Sequence, residues 1–198
     1  MIKRLFDLFF SFHVLLFLSP FLLIVAMIIV FYDGGGIFYK APRVGRKGKV
    51  FRMYKFRTMV VNADKIGPSS TTKTDPRITP IGRFLRRTKL DELPQFINVF
   101  IGNMSVVGPR PEVKYFTDLF TEEEKAILTV KPGITDFASV WNSDEGKVLE
   151  GADDPDKAYM ELIWPEKKRL QLKYVAEQSF KTDIRIIILT LQAIIKRD

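Results

Sequence analysis

The chain has 198 residues, with 31 Lys and Arg against 23 Asp and Glu, a single histidine and no cysteine. That length accommodates one domain with a core plus a membrane element, and the cysteine count excludes disulfides, thiolate metal sites and thiol nucleophiles. His13 lies inside an apolar run, which excludes Ser-His-Asp and Cys-His machinery and leaves acid–base work to carboxylates, lysine or tyrosine. The net charge of +8 favours an anionic partner: a membrane surface, nucleic acid or a phosphorylated substrate.

Residues 8–32 carry no charge, and only Ser11, His13 and Ser19 interrupt their apolar character. At about 1.5 Å per helical residue the run can cross a hydrocarbon core of about 30 Å. It is too long for a cleavable signal peptide and no small-residue cleavage site follows it. Ser19-Pro20 falls near its middle, where proline removes a backbone donor and bends or breaks a helix. A serine hydroxyl can serve a carbonyl freed there. Both flanks are basic, with Lys3 and Arg4 before and Lys40, Arg43, Arg46, Lys47 and Lys49 after, and basic flanks prefer the cytoplasmic face. The residues alone leave two readings open, a kinked span and a re-entrant hairpin that enters and leaves on one face.

Gly34-Gly35-Gly36 supplies the exit from this segment. Residues 37–40 and 50–57 read as short strands around a Gly45/Gly48 turn, with Arg52 on the face opposite the core. Residues 62–77 are polar and aperiodic, and read as a loop able to close over substrate. Residues 81–87 suggest a short basic helix, followed by a second from about Asp91 to Phe100. Thr121 before three glutamates is a helix start. Residues 131–151 read as irregular with a strand or two. Asp153-Asp154-Pro155 begins a helical stretch around Ala158–Ile163 that Trp164-Pro165 breaks, with a further helix through Leu170 and Tyr174. Ile184, Ile187, Ile188, Leu191, Ile194 and Ile195 form an amphipathic stripe ending in Lys196-Arg197, too short to span and suited to the core or the bilayer surface.

The chemistry concentrates between residues 86 and 112. Asp91 and Glu92 follow Arg86, Arg87 and Lys89, and Pro94 fixes the backbone after them. At a helix start these carboxylates gain from the positive dipole end. Ionised, a carboxylate can attack phosphorus or hold magnesium. For an isolated Asp-Glu pair, capping a helix that faces water is the commoner role; the cations beside it weigh the other way. Pro109-Arg110-Pro111-Glu112 presents a stiffened guanidinium suited to phosphate, and is equally read as a surface turn. Lys55-Phe56-Arg57 adds basic groups on what is otherwise a solvated strand face. Aromatics interleaved there could suggest nucleic acid, but a membrane-embedded N-terminus fits that poorly, so no nucleic-acid partner is expected. No Walker-type glycine loop or dinucleotide fingerprint is present.

Taken together, the apolar segment with Ser19-Pro20, Tyr54-Lys55-Phe56-Arg57-Thr58-Met59, Gly82-Arg83-Phe84-Leu85-Arg86, Leu90-Asp91-Glu92-Leu93-Pro94-Gln95, residues 102–112 and Lys131-Pro132-Gly133-Ile134-Thr135 resemble the small monotopic phosphoglycosyl transferases, also called bacterial sugar transferases. The resemblance implies an α+β, mostly α fold. Residues 1–36 would form a re-entrant membrane helix hairpin broken at Ser19-Pro20, and residues 37–198 a small cytosolic catalytic domain with interfacial amphipathic helices on the bacterial inner membrane. It implies transfer of a phospho-sugar from a nucleotide diphosphate sugar, usually a UDP-sugar, to polyprenyl (undecaprenyl) phosphate, with UMP released in the first membrane step of glycoconjugate or polysaccharide synthesis. Asp91 would be the nucleophile, Glu92 its neighbour, and both would hold Mg2+. Lys55, Arg57, Arg86, Arg87, Arg110, Glu112 and Asp183 are the expected substrate- and phosphate-binding residues. After Thr135 this chain departs from the family's usual Gly-Trp-Ala-Gln-Val-Asn-Gly-Arg, with Asp136 to Ser143 lacking an expected glycine and arginine. The C-terminal amphipathic helix permits a homodimer. The competing reading is a non-catalytic basic adaptor on membrane lipid, with no divalent-metal requirement and no nucleotide release.

Overall fold

The computed structural model describes residues 2–66, 71–72, 74–142 and 144–195. The expected loop therefore lies partly outside them, at 67–70 and 73, as do Ser143 and the terminal Lys196-Arg197.

A single 32-residue helix, α1 (Ile2–Asp33), runs through Ser19-Pro20 without interruption. Pro20 has no N–H to give the Leu16 carbonyl, its partner four residues back, and Ser19 Oγ donates to that oxygen instead at 2.8 Å. The proline's local cost is thus offset within the helix, and the expected break is not an end of helical structure. Among the described residues α1 is the one helix long and apolar enough to cross a membrane.

Both ends of α1 pack on the rest of the chain. Near the start, Arg4 donates to the Val99 and Phe100 carbonyls at 2.6 and 2.9 Å, closing the C-terminal end of α3 (Gln95–Ile101). Asp7 Oδ1 accepts from Ser105 Oγ and the Val106 N–H, both at 3.0 Å. Near the end, Val25, Ala26 and Ile29 are buried with Phe56 and Leu85. Between these anchors Leu16, Phe17, Phe21 and Leu23 stay exposed.

Two short sheets follow among the described residues. β1 (Phe38–Val44) and β2 (Val50–Phe56) form an antiparallel hairpin that pairs Ala41 with Met53, close to the strands expected from alternation. β3 (Ser105–Val107) and β4 (Gly133–Thr135) pair in parallel. Gly108 and Gly133 let these backbones meet: a Cβ on Gly133 would sit 2.1 Å from the Gly108 nitrogen. Gly133→Ala is therefore expected to destabilise the protein by more than about 2 kcal/mol, because backbone on both sides cannot yield; a thermal-unfolding midpoint within a degree of wild type would contradict this.

α2 (Pro80–Arg87) matches the expected basic helix, with Thr79 Oγ1 accepting from the Gly82 N–H at 3.0 Å as its cap. The expected helix from Asp91 is corrected. Residues Leu90–Glu92 form a 3-10 turn, and α3 starts only at Gln95. Pro94 carries no N–H, so the ladder cannot run from 94 back to Leu90; Leu93 N bonds Leu90 O in the tighter spacing instead, at 3.3 Å.

After α4 (Lys114–Asp118), Thr121 and Glu124 make the reciprocal cap that the sequence suggested, with Thr121 N to Glu124 Oε2 at 2.9 Å and Glu124 N to Thr121 Oγ1 at 3.3 Å. The helix so started, Glu124–Thr129, is 3-10. α5 (Phe137–Trp141) and α6 (Glu145–Val148) follow β4. α7 (Pro155–Ala158) leads through a π-helical turn, Tyr159–Ile163, into α8 (Trp164–Ala176). The break expected at Trp164-Pro165 is thus a bulge: Trp164 N bonds Tyr159 O, five residues back, just before the residue that cannot donate.

α9 (Phe180–Ile195) seats Asp183, Ile186 and part of Ile187 on the core. Ile188, Leu191, Ile194 and Ile195 of the expected stripe remain exposed. The main core joins Met53, Val99, Met104, Val107, Phe137, Leu170, Tyr174 and Ile186.

Candidate active site

Asp91 and Glu92 sit on the 3-10 turn between α2 and α3. Lys89, which precedes the turn, has φ +59, a left-handed conformation costly for a residue with a Cβ; strained backbone of this kind gathers at functional sites. Asn98 ties α3 to β2, its Oδ1 accepting from Tyr54 N and its Nδ2 donating to Arg52 O, both at 2.8 Å. That tie brings Lys55 beside the turn.

Glu92 is clamped. Oε1 accepts from Lys55 Nζ at 3.0 Å and from Arg110 Nη2, and Oε2 accepts from Arg110 Nη1 at 3.0 Å. Burial alone would raise its pKa, but Arg110 and then Lys55 hold it well below the usual carboxylate range. Arg110 is itself fixed from behind. Its N–H donates to Asp136 Oδ2 at 3.1 Å, and its carbonyl accepts from Gln171 Nε2 at 3.1 Å. Asp136 also caps α5, with Oδ1 accepting from Ser139 N at 2.7 Å.

Asp91 is the opposite case. It is 6% exposed, and among the described residues no hydrogen bond or ion pair engages its carboxylate. Oδ1 is sealed from solvent without a partner, which leaves Oδ2 as the open oxygen. Burial, then the charge of Glu92, push its pKa above the ordinary value, against the pull of Lys55, Arg86 and Lys89. The dipole advantage expected of a helix start is absent because α3 begins four residues later. The pair is split, with one carboxylate locked by cations and the other buried and uncommitted. Such a carboxylate is largely desolvated, and so more reactive towards an electrophile than one in water.

Of the expected binding residues, Lys55, Arg86 and Arg110 converge here, Arg86 held by Nε donating to Thr58 Oγ1 at 2.9 Å. The others lie elsewhere. Arg57 Nε donates to the Gly36 carbonyl at 2.7 Å, at the exit of α1. Arg87 is exposed on α2. Glu112 faces Lys167 Nζ at 2.7 Å and accepts from Tyr159 OH at 3.0 Å, bracing the segment behind Arg110. Asp183 accepts from Lys3 Nζ at 2.6 Å and Tyr174 OH at 2.8 Å, joining the start of α1 to α8 and α9.

Asp136, Gln171 and Lys167 were not singled out from sequence. Asp136 had a local signal, an Asp three residues before Ser139 as in a helix cap; its hold on Arg110 across 26 residues had none.

Of the two expected metal ligands, Glu92 has both oxygens held by Lys55 and Arg110, which leaves Asp91 as the carboxylate able to share a divalent ion with a diphosphate. Among the described residues no three His, Cys, Asp or Glu side chains form a cage, and magnesium commonly takes one or two carboxylates plus substrate phosphates. Asp91, whose outward oxygen Oδ2 is uncommitted, fits that role.

The chain matches the family model described as "Bacterial sugar transferase" over residues 1–197. It is 37% identical to the "UDP-glucose:undecaprenyl-phosphate glucose-1-phosphate transferase" of Escherichia coli K12, covering 96% of this chain and 39% of that protein. It is 36% identical to the "Undecaprenyl-phosphate galactose phosphotransferase" of Salmonella typhimurium, covering 100% of this chain and 41% of that protein. Against the "Exopolysaccharide production protein PSS" of Rhizobium leguminosarum the identity is 39%, over 94% of this chain and 91% of that protein. The chain thus spans well under half of the first two relatives and nearly all of the third.

Proposed function

Because the chain belongs to the bacterial sugar transferase family, we propose that it transfers a sugar phosphate from a nucleotide diphosphate sugar to polyprenyl phosphate, the acceptor named in both transferases among its relatives, with a donor of the UDP class as the Escherichia coli relative's name suggests. The observation that carries this reading is the split pair: Asp91 uncommitted, Glu92 clamped, and Lys55, Arg86, Lys89 and Arg110 outnumbering them in positive charge.

In this mechanism Asp91 attacks the phosphorus that bears the sugar. The P–O bond to the nucleotide breaks and its electron pair leaves with the nucleoside monophosphate. Lys55, Arg86 and Arg110 neutralise charge that grows on the phosphates. Glu92 holds Lys55 and Arg110 in place rather than reacting. A phosphate oxygen of the acceptor lipid then attacks the same phosphorus, and the Asp91 carboxylate leaves. One site serves both substrates in turn. A magnesium ion held by Asp91 and the donor's phosphates would supply further charge neutralisation. Incubation with a panel of nucleotide sugars and undecaprenyl phosphate, read as UMP release, tests the reading. Release with one donor is expected; silence across the panel would favour the lipid-surface adaptor.

The same reading places α1 as a re-entrant helix with the remaining residues on the cytosolic side. Its two ends are anchored to one folded body by Arg4 and Asp7 at the start and by Val25, Ala26 and Ile29 at the end. A helix that crossed the hydrocarbon core between them would put the two anchors on opposite faces of the bilayer, away from a single folded body. The exposed Ile188, Leu191 and Ile195 of α9 suit the bilayer surface. In this cysteine-free chain, single Ile2→Cys and Val61→Cys variants are expected to label with an impermeant maleimide from the same side of sealed vesicles. Labelling from opposite sides would overturn the topology.

A further inference from the structure

Gln95 is 0% exposed, and both its amide nitrogen and its amide oxygen are sealed without a hydrogen-bond partner. Such a group is costly to keep in a folded protein. Asn98, further along the same buried face of α3, shows the ordinary solution, since both ends of its amide are satisfied by β2. Gln95 has no such structural employment. What lies about one turn before it on that face is Asp91, whose inward oxygen Oδ1 is also sealed and also without a partner. The backbone between them stays in the right-handed helical region, with Leu93 at φ −55, ψ −35 and Pro94 at φ −60, ψ −15. Residues at this spacing share a side.

We propose that Gln95 is a positioning residue whose Nε2–H engages the inward oxygen of Asp91 in the covalent state. The inference rests on the covalent reading given above. Asp91 Oδ2, the open oxygen, forms the bond to phosphorus, and Oδ1 becomes the carbonyl of the resulting acyl phosphate. When the acceptor's phosphate oxygen attacks, the Oδ2–P bond breaks and its electron pair returns to the carboxylate. Negative charge then spreads onto Oδ1, where the Gln95 amide donates. The amide thereby favours departure of Asp91 and completion of the second transfer.

Gln95→Met tests this, because it fills similar space and removes two orphaned polar atoms. Were Gln95 merely structural, the variant would be as stable as wild type or more so, and fully active. The expected result is an unchanged or raised unfolding midpoint, adduct formation on donor addition within about threefold of wild type, and discharge by polyprenyl phosphate slowed roughly 10–100-fold. Gln95→Glu keeps the shape but loses the donor when ionised. Its discharge should be equally slow at neutral pH and partly recover as pH falls and the carboxyl regains a proton. Discharge at the wild-type rate in both variants overturns the inference. Absence of any adduct on the wild-type protein instead sinks the covalent reading beneath it.

Discussion

Asp91→Asn is expected to abolish adduct formation and to lower turnover by at least about 10³-fold, while leaving the protein folded. An amide oxygen cannot attack phosphorus as a carboxylate does. Stability should move the other way. Burial, then Glu92, raise the Asp91 pKa above the ordinary 3.8. A carboxyl whose pKa is raised by folding contributes stability at pH values below its unfolded value. That contribution is lost as pH climbs through the raised one, and at neutral pH the ionised group works against the fold. The amide has no charge to desolvate, so the variant's unfolding midpoint should equal or exceed that of wild type. The wild-type rate should likewise rise with pH as Asp91 ionises. A variant that turns over at near-normal rate would remove Asp91 from the chemistry, and one that is inactive because it unfolds would leave the loss uninformative about the nucleophile but contradict the stability argument.

Arg110→Ala should cost about 10²–10³-fold in turnover and of order 2–4 kcal/mol in stability. The guanidinium binds both oxygens of Glu92, and its loss leaves that carboxylate, little exposed, with Lys55 as its partner. Arg110→Lys should recover little, because one ammonium cannot reproduce the two-pronged contact. Equal activity of the lysine variant and wild type would show that charge alone matters at this position. Steady-state UMP release and thermal unfolding, measured on both variants, separate the catalytic loss from the structural one.

Much of this organisation was readable in the chain because its signals are local. The β1–β2 hairpin follows alternation around a glycine turn, α2 follows the short basic run of residues 81–87, and the Thr121/Glu124 cap forms as its spacing suggests. Where backbone donors are missing, sequence reading placed the event at Pro20 and Pro165 but not its form, and at Pro94 it ran a helix straight through. Pro20 is absorbed by Ser19, Pro94 converts the expected start of α3 into a 3-10 turn, and Pro165 follows a π turn. Within the site, the Asp91-Glu92 pair and its cations were legible as neighbours in sequence. Their unequal states were not, since these depend on Lys55 arriving from β2 and Arg110 from beyond β3. The bracing residues have weaker signals still. Lys3 meets Asp183 across 180 residues, and nothing near either one announces the other.

The measurement that bears most directly on the central claim is mass spectrometry of the protein mixed with nucleotide sugar alone, without lipid acceptor. Covalent transfer predicts one phospho-sugar on Asp91 and a matching burst of nucleoside monophosphate, both removed when polyprenyl phosphate is added. An unmodified Asp91, with nucleotide released only when both substrates are present, would contradict it.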